Sequence, residues 1–187
     1  MFRMVRCCTQ FLRPSSKYHG NRMSDVVKKN WAHSYMNDEF IQVETCSGYR
    51  GGYSDPEGRR FQLSPEASDD EIGEALLSAL ARSRFIHPDE DRSFFDIRGR
   101  VVPQYQEWVK EMMNQFGYKT KRAMFKNMKS CSIESHDGTI TIRPSHHEKL
   151  EAWSGDGISE SDYVVIPADS SPAEVGAALR LAFSRCT

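Results

Sequence analysis

No stretch of this chain approaches the ~20 consecutive apolar residues that a membrane-spanning helix requires, so a helical span is excluded. Cys-x-x-Cys, His-x-x-x-His, Gly-x-Gly-x-x-Gly, Gly-Lys-Ser/Thr and a Gly-x-Ser-x-Gly elbow are all missing. Zinc-ribbon, phosphate-loop, dinucleotide and serine-hydrolase signatures go with them. The first 22 residues contain no acid and no apolar run of signal-peptide length, so they are not expected to act as a secretory signal peptide. Cysteine is sparse and odd in number: Cys7, Cys8, Cys46, Cys131 and Cys186 read as free thiols of a reducing cytoplasm, with Cys46 and Cys131 as buried packing residues.

With 187 residues, 39% hydrophobic and 27% charged, the chain can bury one core. Residues 23–187 read as a single α+β domain; residues 1–22 read as a basic extension. That extension resembles either an organellar transit peptide or upstream codons preceding a true start at Met23. The net charge of -1 conceals an asymmetry, because residues 1–30 hold seven Lys or Arg and one acid, and the remainder carries -7. An acidic body repels phosphate backbones and attracts basic proteins.

Two segments share a design. Ser68–Glu71 is a capping box ahead of Ile72, Ala75, Leu76, Ala79 and Leu80 at helical spacing. Ser171–Glu174 repeats the box ahead of Val175, Ala178, Leu179, Ala182 and Phe183, each 103 residues later, with Gly73 matched by Gly176. Each helix follows a short strand, Arg60–Leu63 or Tyr163–Ile166. The match fits two duplicated strand-turn-helix units, and equally the general likeness of capped amphipathic helices. Pro103 opens a third helix whose Tyr105, Trp108, Val109, Met112, Met113 and Phe116 form a core stripe ending at Gly117.

Strand character in Phe40–Glu44 and a hairpin around Asp137-Gly138 complete the pattern: an antiparallel or mixed sheet with helices packed on it. A two-residue turn pairs Ile133 with Ile142. It puts Cys131, Ile133, Ile140 and Ile142 on one face, with Glu134, Thr141 and Arg143 on the other.

The candidate chemistry is thin. His146, His147 and Glu148 are the nearest approach to a metal or acid/base group and support an alternative reading as a small metal-dependent hydrolase or nuclease. Adjacent histidines on a strand, however, point to opposite faces, and solvated loop residues are the simpler account. A regulator contacting nucleic acid through its basic N-terminus is a further alternative, opposed by the acidic body. No cofactor or metal is expected, and no enzymatic activity. Tyr49, Tyr53 and the solvated loop charges Asp55 and Glu57 on the exposed glycine-rich loop 48–58, and Trp153, Asp156, Glu160 and Asp162 ahead of the last strand, combine aromatics with acids. Protein-binding surfaces combine them in the same way. Both segments precede equivalent strands, so they are candidates for one partner surface.

Asn127–Cys131, Thr141–His147, Val165–Asp169 and Glu174–Arg180 resemble the immunity proteins of bacterial contact-dependent growth inhibition systems, over roughly Phe40 to Cys186. That resemblance implies a non-enzymatic cytoplasmic protein. Its partner would be the toxic C-terminal domain of a large effector, often a basic nuclease, with no direct contact to nucleic acid or membrane.

Overall fold

The computed structural model describes residues 26–187; the basic extension, the alternative start at Met23, and Cys7 and Cys8 lie outside them. These residues form β1 (Asn30–Met36), β2 (Ile41–Gly48), β3 (Gly52–Ser54), β4 (Arg60–Leu63), α1 (Asp69–Ala81), α2 (Val102–Gln115), α3 (Lys121–Phe125), β5 (Lys129–His136), β6 (Thr139–Pro144), β7 (His146–Lys149), β8 (Ala152–Ser154), β9 (Val164–Pro167) and α4 (Pro172–Ser184). The fold is α+β. A seven-stranded sheet runs β3-β2-β1-β5-β6-β9, with β4 also paired to β2, and every ladder in it is antiparallel. Strands β7 and β8 make a separate two-stranded sheet. No helix of the described residues is long and apolar enough to cross a membrane.

The hairpin has the register that its turn and apolar pattern dictate. Ile133 faces Ile142 and Ser135 faces Ile140, while Asp137 and Gly138 carry the positive φ values of 47° and 70° that a two-residue turn demands. Both capping boxes form. The Ser68 and Ser171 amides donate to the carboxylates of Glu71 and Glu174, each at 2.7 Å, and the serine hydroxyls accept the amides of the same two residues. Pro103 sits in the first turn of α2, as expected, but a π-helical turn at Ile97–Val101 precedes it.

The 103-residue spacing holds for the bounds of the two helices, and the order of strands ahead of each helix repeats as well. Strands β1, β2 and β4 feed α1, and β5, β6 and β9 feed α4. The two halves meet where β1 pairs with β5, Ala32 opposite Ile133 and Ser34 opposite Cys131. The helices cross on the same side of the sheet through their glycines. A Cβ on Gly73 would stand 1.8 Å from the Pro172 carbonyl oxygen, and one on Gly176 would stand 1.9 Å from that of Asp69. Only glycine allows this backbone approach. Between helices and sheet lies the main core, with Ile41, Val43, Ile72, Leu76, Cys131, Ile133, Ile142, Val175, Leu179 and Phe183 all buried.

A second core covers one end of the opposite face. There Tyr35 and Phe40 pack with Trp108, Val109 and Met112 of α2, with Met124 and Phe125 of α3, and with Trp153 of β8. The Met and aromatic stripe of α2 is therefore core, as its spacing predicts. Gln42 crosses this layer by accepting the Trp108 indole N–H at 2.7 Å.

Candidate functional site

At the other end of that face the sheet forms the floor of a groove. Alternation along β1 and β5 turns Trp31 and Glu134 out of the main core, and the register of β6 sets Arg143 beside them. The result is a groove of about 620 Å³ whose lining includes Lys29, Trp31, Tyr49, Tyr53, Phe95, Glu134, Arg143, Glu160 and Tyr163.

Its walls are aromatic. Tyr49 packs on Phe85 and edge-on to His87 with ring centres 5.3 and 4.7 Å apart, and Tyr53 meets Phe95 edge-on at 6.0 Å. Its floor is charged. Arg143 donates to Glu134 at 2.6 Å, Lys29 donates to the same oxygen at 2.9 Å, and the Arg143 guanidinium lies 5.3 Å from the Tyr163 ring centre. Burial pushes the Glu134 carboxyl upward, but Arg143 and Lys29 outweigh it and bring the pKa down to about 2. The floor thus holds a carboxylate that stays ionised, clamped by two cations.

The eight expected partner-binding residues divide. Tyr49, Tyr53 and Glu160 line the groove together, although 107 residues separate the last two in sequence. Asp55 and Glu57 are tied to Arg84. Asp55 was expected as a solvated loop charge, but its side chain is fully buried, accepting two Arg84 N–H bonds at 2.8 and 2.7 Å, the Ser47 hydroxyl at 2.6 Å and the Glu57 amide at 2.9 Å. Burial raises its pKa, yet these donors prevail and hold it below the usual carboxylate range. The structure therefore corrects the solvated reading: the Glu57 amide and the buried Ser47 hydroxyl find their acceptor in this carboxylate, which Arg84 in turn neutralises. Glu57 is exposed and accepts from Arg84 at 2.9 Å.

Trp153 belongs to the second core, its ring tilted on Tyr35 at 5.4 Å and stacked on His147 at 4.9 Å, its N–H donating to the Met128 carbonyl at 3.0 Å. Asp156 is exposed, and Asp162 caps the short 3₁₀ helix Glu160–Asp162 by accepting from Ser159 at 2.7 Å. His146, His147 and Glu148 lie on β7, not on a loop. His146 hydrogen-bonds Thr187 at 2.9 Å through Nδ1, and His147 stacks on Trp153. No group of three or more potential metal ligands occurs among the described residues.

Sequence reasoning passed over Trp31, Phe95 and Tyr163. Phe94-Phe95 inside the acid-rich stretch Asp89–Asp96 was the available signal, an aromatic pair with no helical or strand period to bury it.

An aromatic cleft with a clamped charge pair at its floor offers apolar contact and directional polar partners to a protein surface. Known proteins narrow this reading. The model of the CDI immunity protein family matches residues 30–186. Immunity protein CdiI-YPIII of Yersinia pseudotuberculosis serotype O:3 (strain YPIII) is 49% identical over 176 residues, covering 88% of this chain and 99% of that one. The chain accordingly belongs to the CDI immunity protein family. A chain of the solved CdiA-CT/CdiI toxin and immunity complex from Yersinia pseudotuberculosis superposes with a TM-score of 0.82 at 49% identity, covering 87% of this chain and all of that one. A protein of unknown function from Neisseria meningitidis, NMB0488, superposes at 0.79 with 36% identity, covering 89% of this chain and all of that one.

Proposed function

We propose that this chain binds and neutralises the toxin domain of a contact-dependent growth inhibition effector in the cytoplasm, acting by occupation and without catalysing a reaction. The observation that carries this reading is the 49% identity, over nearly the whole of both chains, to a protein named for the immunity role. The groove is the proposed docking surface. Tyr49, Tyr53 and Phe95, over the buried Trp31, supply the rigid aromatic area in which interface energy concentrates, and Glu134, Arg143 and Glu160 supply polar partners. The acidic body suits a basic toxin surface, such as the phosphate-binding site of a nuclease, and a charge match of that kind speeds association.

The test is co-expression with the toxin domain encoded beside this chain in a sensitive host, followed by binding measurements on purified proteins. Protection of the host and a stable complex are expected. Tyr53→Ala combined with Phe95→Ala should weaken the complex at least tenfold, about 1.4 kcal/mol, while the variant still unfolds in one cooperative transition at a somewhat lower midpoint. Full affinity in that variant would remove the groove from the interface, and failure of the wild type to protect would remove the function itself.

A further inference from the structure

Cys131 and Cys186 lie outside the groove lining. Cys131 stands on β5, fully buried among the residues that face α1 and α4, and Cys186 follows the last turn of α4, partly open to solvent. Their sulfurs are 3.7 Å apart. The segment bearing Cys186 is held in place: the Thr187 amide donates to the Ser145 carbonyl at 3.2 Å, and the His147 amide donates to the Thr187 carbonyl at 2.7 Å. The Cys186 thiol also lies 3.5 Å from the Ser130 carbonyl and 3.6 Å from that of Ala182. Two sulfurs in van der Waals contact, on backbones fixed from both sides, must approach by only about 1.6 Å to reach the bonded distance.

We propose that Cys131 and Cys186 form an oxidation site that a peroxide closes into a disulfide, fastening the end of α4 to the central strand. Cys186 is the attacking residue because it alone of the pair reaches solvent. The hydrogen bond from Cys131 outweighs burial and lowers the Cys186 thiol to about 7, while burial raises that of Cys131. In the first step the Cys186 thiolate attacks one peroxide oxygen. The O–O bond breaks, hydroxide leaves and takes a proton as water, and Cys186 becomes a sulfenic acid. Cys131 then gives up its proton and attacks the Cys186 sulfur, the S–O bond breaks, and a second water departs. Two thiols are oxidised and one peroxide is reduced to two waters. In a reducing compartment the bond is transient and is reversed by thiol exchange.

The experiment uses the full chain with Cys7→Ser and Cys8→Ser, leaving the three described cysteines. Reductant is removed, hydrogen peroxide is added in small excess and then destroyed, and the unfolded protein is alkylated and mapped by mass spectrometry. The expected product is two hydrogens lighter, alkylated only at Cys46, with a peptide pair joined through Cys131 and Cys186; dithiothreitol restores all three thiols. The oxidised protein should melt at least about 5 °C higher than the reduced one. In Cys131→Ser the reaction should halt at a Cys186 sulfenic acid, trapped by dimedone, and in Cys186→Ser no linkage should form. Three alkylated thiols after peroxide, a linkage through Cys46, oxidation of Cys186 alone in the parent chain, or a midpoint that stays put or falls would each overturn the proposal.

Discussion

Acid should weaken this fold through one buried histidine. His33 lies on β1 between Trp31 and Tyr35, 4% exposed, its Nε2 hydrogen-bonded to the Ser130 hydroxyl at 2.9 Å and its ring 4.5 Å from that of Tyr35. Burial penalises the imidazolium and lowers the pKa from 6.5 to about 4. The unfolded chain therefore takes up this proton first. Stability from His33 is whole above pH 6.5, falls as pH drops, and stops falling once the folded form also protonates near 4. At 1.36 kcal/mol per unit the full loss is about 3 kcal/mol, of which about 2 is gone between pH 7 and pH 5. Glu44, opposite His33 in the β1–β2 ladder, works the other way. Burial raises its pKa against the opposing pull of Arg60, so its contribution improves as pH falls toward the ordinary carboxylate value. The readout must therefore be a difference. Urea unfolding of the wild type and of His33→Gln, at half-unit steps from pH 7.5 to 5, cancels Glu44 to first order. Gln retains a donor for Ser130 and cannot charge. The gap in stability between the two should narrow, or shift in favour of Gln, by about 2 kcal/mol over that range. Parallel pH profiles would show that His33 does not carry the penalty and that the acid sensitivity lies elsewhere.

Asp55→Asn should cost about 2 kcal/mol in denaturant melts: the buried site loses its charge-assisted bonds, while Arg84, 40% exposed, keeps water and Glu57 as partners, which discounts the orphaned cation. Trp153→Ala should lower stability by about 3–5 kcal/mol through the cavity left beside Tyr35, Phe125 and His147; a variant that folds as well as wild type but dissociates faster from toxin would return Trp153 to the interface. Gly176→Ala should cost about 3 kcal/mol or more, because its methyl meets the Asp69 carbonyl, which cannot swing aside as a side chain would; an unchanged melting midpoint would mean that α1 and α4 separate easily.

What the chain determines by itself is what short spans encode. Ser68 with Glu71, and Ser171 with Glu174, satisfy orphan amides within one turn, so both helix starts were legible at their residues. The Asp137-Gly138 turn and a period of two set the hairpin register, and with it the Glu134–Arg143 pair, without reference to anything further away. Strand β1 was not legible. Trp31, His33 and Tyr35 face one layer while Ala32, Ser34 and Met36 face the other, and burial on both sides erases the alternation that marks a half-exposed strand.

The groove was half legible. Tyr49, Tyr53 and Glu160 were readable as surface candidates, but composition cannot separate an exposed acid from one clamped by a distant arginine, and Arg84 lies 29 residues beyond Asp55. Likewise, 55 residues separate Cys131 from Cys186, and only the packing of α4 on the sheet brings their sulfurs together. Such pairings are decided when each helix folds back across its own strands. Long-range contacts depend on which surfaces that packing buries, and no local period records it.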